Sequence, residues 1–186
     1  MKNAWYCIIL IISTFSCTAQ TVVPLSTPSL DTPKTNYYRK DLNNVLDKYV
    51  GTWTYTNGNT SFTIVLIKRL KVKITDYYTD EITGWYKYVE NGVVKVNTLP
   101  MTHNKYLIHG ANVSEDGNLI LLHFNDPARP KMSVRLRMNY TANSALDTQP
   151  QLSWKLTHTG TSFILEGQPE PLTDFRVPTN VTLIRQ

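Results

Sequence analysis

Apolar and polar side chains alternate along most of the chain after Gly51, and this two-residue period is typical of β-strands with one buried face. In residues 132–140 the even positions hold Met, Val, Leu, Met and Tyr, whereas the odd positions are polar. Residues 152–157 alternate in the same way. In 61–74 the even positions predicted to face inward include Phe62, Ile64, Leu66 and Leu70. Strands of this kind pack on a core and leave one face in water, so the pattern predicts an all-β fold.

Turn dipeptides separate the alternating stretches. Those that suit the positive φ angles of tight hairpins are Asn57-Gly58, Asn91-Gly92 and Asp116-Gly117, with Thr159-Gly160 as a weaker fourth signal. They divide the chain into about ten predicted strands, whose ends carry an error of roughly two to four residues. The predicted strands are 51–56, 61–74, 83–90, 93–98, 105–113, 118–125, 131–140, 151–158, 161–167 and 180–185.

These strands follow one another through hairpins, which predicts an antiparallel meander of about 8–10 strands. An open meander would leave two edges exposed, and closure into a barrel removes both. A two-sheet sandwich is the alternative. Before the first strand, the apolar residues Leu42, Val45, Leu46 and Tyr49 are spaced as on one side of a helix, so we expect a short N-terminal helix to pack on the strands.

The predicted order is a short helix, Gly51-Thr52-Trp53 at the start of the first strand, and then the meander. This order resembles the calycin architecture of lipocalins and their bacterial relatives. The resemblance covers about residues 38–186. It implies that Trp53 closes the bottom of a barrel and that an arginine of the last strand, here Arg185, lies across the indole. Such a contact contributes roughly 0.5–2 kcal/mol. The layout is also similar to uncharacterised exported proteins of Bacteroidota.

The first residues have the layout of a secretory signal peptide: Lys2, an apolar run at 4–12 that is too short to span a bilayer, and then small residues. Cleavage after Ala19 fits the small-x-small rule, and the alternative is acylation of Cys17. We therefore expect an exported protein that is secreted or periplasmic, or else lipid-anchored at the cell envelope. The predicted organisation is a signal peptide at 1–19, a Pro/Ser/Thr-rich linker at 20–36 and a single β domain at 37–186.

Cysteine content and charge exclude several classes of protein. Cys7 and Cys17 are the only cysteines, and both lie in the targeting segment, so the processed chain has neither a disulfide nor a cysteine metal site. The formal net charge is +5, from 19 Lys and Arg against 14 Asp and Glu. This excess is too mild to indicate a nucleic-acid partner, and solvated strand exteriors account for it.

The chain contains no recognisable catalytic motif. Its histidines lack metal-ligand spacing; they are His103, His109, His123 and His158. The clustered acids read as turn formers; they are Asp76, Asp80, Glu81, Glu115 and Asp116. We therefore expect no catalytic residue, no metal and no cofactor. An enzyme that uses Asp80, Glu81 or a histidine stays an open hypothesis.

Two binding hypotheses remain. In the first, a barrel interior holds an apolar or amphipathic small molecule, since the inward positions carry almost no charge. The tentative cavity residues are Phe62, Ile64, Leu66, Val134, Leu136 and Trp154. In the second, an envelope lipoprotein contacts extracellular macromolecules through a tyrosine-rich rim, because tyrosine is common at recognition surfaces. The tyrosines concerned are Tyr37, Tyr38, Tyr77, Tyr78, Tyr86 and Tyr88.

Overall fold

The computed structural model describes residues 20–28, 35–99, 106–142, 149–161, 167 and 171–186. In that part of the chain eleven β-strands form one continuous sheet, which confirms the predicted all-β class. The strands are β1 (Thr21–Pro24), β2 (Tyr37–Lys40), β3 (Gly51–Asn57), β4 (Thr60–Ile74), β5 (Tyr77–Glu90), β6 (Val93–Asn97), β7 (Ile108–Val113), β8 (Leu119–Phe124), β9 (Met132–Thr141), β10 (Gln151–Thr161) and β11 (Asn180–Arg185). The predicted signal peptide, including Cys17, lies outside the described residues.

Eight of the strands close into an antiparallel barrel. Around the barrel their order is β5, β4, β3, β11, β10, β9, β8 and β7, and β7 pairs again with β5. The closing seam is short, because only residues 82–84 of β5 pair with residues 108–110 of β7. The chain thus forms the predicted barrel and not the two-sheet alternative.

Three strands lie outside the barrel ring, and two of them pair with the long strand β5. The strand β2 pairs with the start of β5 in parallel, and β6 pairs with its end. The strand β1 adds to β2, again in parallel. The segment 20–36, predicted as a linker, therefore includes a paired strand where the structure describes it. Leu25, which follows β1, is buried against the core.

Side-chain alternation fills the barrel as the pattern predicts. On β9 and β10 the even positions are buried, for example Val134, Leu136 and Trp154. Aromatic rings occupy the middle of the interior: the Trp154 ring centroid lies 4.9 Å from that of Phe62 and 5.6 Å from that of Phe124. At this level the interior is filled by side chains.

The predicted burial of Leu70 is wrong, because this part of β4 extends past the end of the barrel where β3 begins. Leu70 is 67% exposed there. The strand also contains a bulge: its register against β5 shifts between Arg69 and Val72, and Lys71 has φ of 51°. The inserted residue reverses the faces of the residues that follow it, so Lys73, which the alternation predicts to point outward, shares a face with Leu70.

The predicted N-terminal helix is also wrong, since only Asp47–Tyr49 forms a single 3-10 turn. The Asp41 carboxylate accepts the backbone N–H groups of Val45 and Leu46 at 2.8 and 3.1 Å, which favours a turn over a helix. Asn44 has a left-handed φ of 54°, which a regular helix does not allow. Within the described ranges, no helix is long and apolar enough to cross a membrane.

Most of the predicted turns are present, and one is not. Asn91-Gly92 forms the predicted hairpin turn, with φ angles of 50° and 79°. The first hairpin turns at Gly58-Asn59, one residue later than predicted, because Asn57 still pairs with Thr60. Thr159-Gly160 instead lies within β10, where a bulge between His158 and Gly160 gives the glycine φ of 152°. The strand therefore continues to Thr161, and most of the predicted strand 161–167 lies outside the described residues.

Gly84 is predicted to be intolerant of any side chain. A Cβ at Gly84 would lie 2.4 Å from the Val65 carbonyl oxygen and 2.7 Å from Leu66 Cδ2. Because the nearer atom is backbone of the paired strand, Gly84→Ala should lower the free energy of unfolding by about 1–3 kcal/mol, measured by urea titration. The control is Gly58→Asn, at a turn with φ of 55° and nothing within 4 Å. Equal losses in the two variants would contradict the expected clash.

Candidate functional site at the barrel mouth

The base of the barrel, which is the end where β3 begins, is closed by side chains. The fully buried Trp53 donates its Nε1–H to the Tyr49 carbonyl at 2.8 Å. Arg185 Cζ lies 5.4 Å from the Trp53 ring centroid, so the predicted contact is present. Arg185 also donates to the Val50 carbonyl. Gly51, which lies beside this guanidinium, has φ of 128°, a backbone conformation that residues with a side chain rarely adopt.

At the opposite end, the mouth, a recess of about 620 Å³ opens between the barrel and the segment 175–179. Three aromatic residues lie at the same level on neighbouring strands, because Phe62 pairs with Tyr55 on one side and with Tyr88 on the other. The two tyrosines line the recess and are half-buried. Phe175 and Val181 complete the apolar wall. The mouth is thus an aromatic-walled opening.

The floor of this recess is sealed by aromatic rings. Phe62 is fully buried, and its ring centroid lies 6.2 Å from that of Tyr88, edge to face. Trp154 packs directly against Phe62, and its Nε1–H donates to the Pro178 carbonyl at 2.9 Å. The indole therefore holds the segment 175–179 in place while it fills the interior below.

The six predicted cavity residues lie at different depths. All are buried; they are Phe62, Ile64, Leu66, Val134, Leu136 and Trp154. Phe62 and Trp154 form the floor of the mouth. Ile64 pairs with Trp53, and Leu66 pairs with Gly51, which places both near the base. Val134 lines a different recess, beside the β8–β9 connection.

The rim of the mouth carries a small polar network. The Tyr88 hydroxyl donates to Glu90 Oε1 at 3.1 Å, and Lys95 Nζ lies 3.4 Å from Glu90 Oε2. Burial and the Glu90 carboxylate both raise the pKa of Tyr88, so its hydroxyl stays protonated at neutral pH. Lys95 and Glu90 are about half exposed, and this pair therefore adds little to stability. The network instead offers hydrogen-bonding groups beside the aromatic wall.

A second ion pair fastens the segment 175–179 to the barrel. Arg176 donates to both carboxylate oxygens of Asp126, with Nε at 2.8 Å from Oδ2. The Asp126 side chain is only 3% exposed, and its hydrogen bond raises the pKa of Arg176. Arg129 and Asp174 form a further bidentate pair at 2.7 and 3.0 Å. These contacts join parts of the chain that are far apart in sequence.

Sequence patterns identify only part of this site. The inward direction of Tyr55 and Tyr88 follows from strand alternation. Phe175 and Arg176 lie in a segment without any period, and Asp126 lies in a loop. No sequence signal places these three residues at the mouth.

The histidines lie elsewhere. His109 and His123 face each other across β7 and β8, with ring centroids 5.2 Å apart on the outer surface. Burial, and then the neighbouring His123, lower the pKa of His109. His158 is exposed, and His103 lies outside the described residues. Among the residues that the structure describes, no group of three or more His, Cys, Asp or Glu is placed to hold a metal ion.

The acidic residues have structural partners. Asp80 accepts hydrogen bonds from the Tyr38 hydroxyl and from the backbone of Asp41 and Lys71. Glu81 follows Asp80 on the same strand and so points to the other face, where burial raises its pKa. Asp116 accepts bonds from its own turn. The two acids of β5 therefore do not converge on a common point.

Comparison with known proteins gives a family but no activity. A family model described as "Family of unknown function (DUF6705)" matches residues 1–186. No curated protein and no solved structure matches the chain.

Proposed function

The chain belongs to this family of unknown function, and we propose that it is an exported, non-catalytic protein that binds an apolar or amphipathic small molecule at the mouth of its barrel. The observation that supports this proposal is the recess of about 620 Å³ above the aromatic floor. Binding sites for small molecules commonly have volumes of about 300–1,000 Å³. The closed antiparallel barrel is also consistent with a calycin-like fold, on which we base the lipocalin-type interpretation.

The lining supports an amphipathic ligand. Tyr55, Tyr88 and Phe175 offer apolar ring faces, and rings of this kind bury large areas with little loss of conformational entropy. Glu90 and Lys95 stand beside them at the edge. A ligand with an apolar body and one polar end would therefore find partners for both parts. A small, fully ionic ligand would lose its hydration against the rings without compensation.

The depth of the mouth limits the size of the ligand. Phe62 and Trp154 fill the barrel below the recess, so we place the bound molecule above them and not in the deep interior. We further propose that the N-terminal segment 1–19 directs export, with cleavage after Ala19 or acylation of Cys17 as the two routes. The protein would then bind its ligand outside the cytoplasm.

A fluorescent fatty acid tests this proposal. We expect saturable fluorescence enhancement that unlabelled oleate reverses, and a dissociation constant raised roughly tenfold or more by Tyr55→Ala or Tyr88→Ala, since each ring contributes about 1.5–3 kcal/mol of burial. Tyr106→Ala, at a half-buried tyrosine that does not line the recess, is the matched control and should bind normally. Near-UV circular dichroism checks folding. Absence of saturable binding, or an equal loss in the Tyr106 variant, would refute a site at the mouth.

A further inference from the structure

Beyond the base of the barrel, one surface combines aromatic, apolar and basic side chains. The hairpin of β4 and β5 extends past the last pair between β3 and β4, and β1 and β2 add to its edge. We name its solvent-facing side the tyrosine–lysine face; its residues are Val22, Tyr38, Lys40, Leu70, Lys71, Lys73 and Tyr78. Register places them together: Val22 pairs with Tyr38, Tyr38 with Tyr78, and Tyr78 with Lys73. Residues opposite each other in a sheet share a face.

The bulge in β4 brings a lysine over two tyrosines. Lys71 Nζ lies 5.7 Å from the ring centroid of Tyr38 and 5.5 Å from that of Tyr78. Lys40 and Lys73 are exposed on the same face. The lysines therefore surround a pair of half-buried tyrosine rings.

The acids near this face offer it little negative charge. The oxygens of Asp80, which is 1% exposed, are occupied by the Tyr38 hydroxyl at 2.5 Å and by the backbone N–H groups of Asp41 and Lys71. Asp47 is exposed but is bound to Lys68 at 2.7 Å. Asp76, at the tip of the hairpin, is exposed, and its single negative charge is outnumbered by those of Lys40, Lys71 and Lys73.

Two aliphatic side chains project from the same face. Leu70 is 67% exposed and Val22 is 49% exposed. Leu70 also borders a shallow groove of about 460 Å³ that Tyr38 and Lys40 help to line. Tyrosine, lysine and protruding aliphatic side chains are the combination found where proteins meet the headgroup region of a bilayer.

We propose that the tyrosine–lysine face binds the surface of an anionic lipid bilayer. Leu70 and Val22 enter the headgroup region, the tyrosine rings lie at the interface, and the lysines contact lipid phosphates. The inference rests on the proposed export, but not on a ligand at the mouth. Because the face lies beyond the base, this orientation turns the mouth away from the membrane.

The short stretch of chain between Cys17 and this face favours a bilayer over other occupants. Val22 follows Cys17 by five residues, which allows a separation of at most ~18 Å when the chain is fully extended. A lipid on Cys17 would therefore hold this face at the membrane surface. Lysines near an anionic surface each strengthen binding roughly fivefold, so the three lysines and two aliphatic side chains act together.

The test is co-sedimentation of the processed chain that begins at Gln20, which has neither an acyl group nor the apolar run 4–12, with vesicles containing phosphatidylglycerol. We expect binding that falls with added salt and is weak on pure phosphatidylcholine. Lys71→Glu with Lys73→Glu should reduce the partition coefficient by roughly 25-fold or more, and Leu70→Ser should reduce it severalfold. The matched control is Arg137→Glu with Lys155→Glu, an exposed pair on β9 and β10 that changes the net charge equally.

Three outcomes would overturn the proposal: no binding of the parent chain to anionic vesicles, equal losses in the two charge-reversed pairs, or binding to heparin without binding to vesicles. The last would assign the face to an anionic macromolecule. Displacement of the fluorescent fatty acid at the mouth should be unchanged in the Lys71→Glu, Lys73→Glu chain, so failure of either proposal is distinguishable from failure of the other.

Discussion

Trp53→Ala is expected to lower the free energy of unfolding by about 3–5 kcal/mol, as is usual when a fully buried tryptophan is lost. Trp53 is 0% exposed and packs edge to face on Tyr140 at 6.3 Å. Its Nε1–H bonds to the Tyr49 carbonyl, which ties the 3-10 turn to the barrel. Removing the indole leaves a cavity at the base and an unpaired carbonyl, and Arg185 loses the ring on which it lies.

Urea denaturation followed by far-UV circular dichroism measures this loss without relying on tryptophan emission. Trp53→Phe keeps most of the packing and should cost clearly less than Trp53→Ala. Arg185→Gln should cost about 1–3.5 kcal/mol, since it removes the cation–π contact and the hydrogen bond to the Val50 carbonyl but leaves the ring in place. A loss below about 1 kcal/mol for Trp53→Ala would mean that the base relaxes to fill the cavity, and that Trp53 does not close the barrel.

Asp80→Ala should lower the free energy of unfolding by about 3 kcal/mol, because it leaves one buried and two partly buried donors without their acceptor, and an unpaired buried group costs about 1–3 kcal/mol. The donors are the Tyr38 hydroxyl and the backbone N–H groups of Asp41 and Lys71. Asp80 thereby links β2, the bulge of β4 and the turn before the 3-10 helix. Burial, and then the hydrogen bond to Asp80, raise the pKa of Tyr38 to about 12.

Three companion variants make the Asp80 prediction specific, again by urea denaturation at neutral pH. Asp80→Asn keeps one acceptor oxygen and should cost less than Asp80→Ala. Tyr38→Phe removes a single donor and should cost about 0.5–1.5 kcal/mol. Asp76→Ala, at an exposed acid of the same hairpin, should be nearly neutral. If Asp80→Ala were as mild as Asp76→Ala, the carboxylate would not be holding the bulge.

Local patterns predicted most of the barrel wall. The alternation that placed Val134, Leu136 and Trp154 inside is a property of neighbouring residues, and it holds wherever the ladder is regular. The turn at Asn91-Gly92 depends only on residues that accept a positive φ. The family resemblance predicted the contact between Trp53 and Arg185, although the two residues lie near opposite ends of the domain's sequence.

Local patterns failed where a distant group redirects the backbone. The alternation of β4 fails after Leu70, because a bulge, held by the Asp80 carboxylate on the next strand, inserts a residue and reverses the faces of the residues that follow. The stripe from Leu42 to Tyr49 has helical spacing, yet the Asp41 side chain occupies the backbone donors of Val45 and Leu46. Spacing cannot reveal such competition, because side chains bond to whichever donors the fold brings near.

The sequence by itself determined the all-β class, the run of hairpins and the apolar face of each strand, since these follow from turn chemistry and from a two-residue period. Only the tertiary structure decided that the sheet closes through the short seam between β5 and β7. It also decided that Phe175 and Arg176 stand at the mouth, and that Val22 shares a face with Lys73. Those positions depend on contacts between segments far apart in the chain, such as the ion pair of Arg176 with Asp126. No local pattern predicts contacts of that kind, because they depend on the fold bringing the partners together at the cost of the conformational freedom of the loop between them.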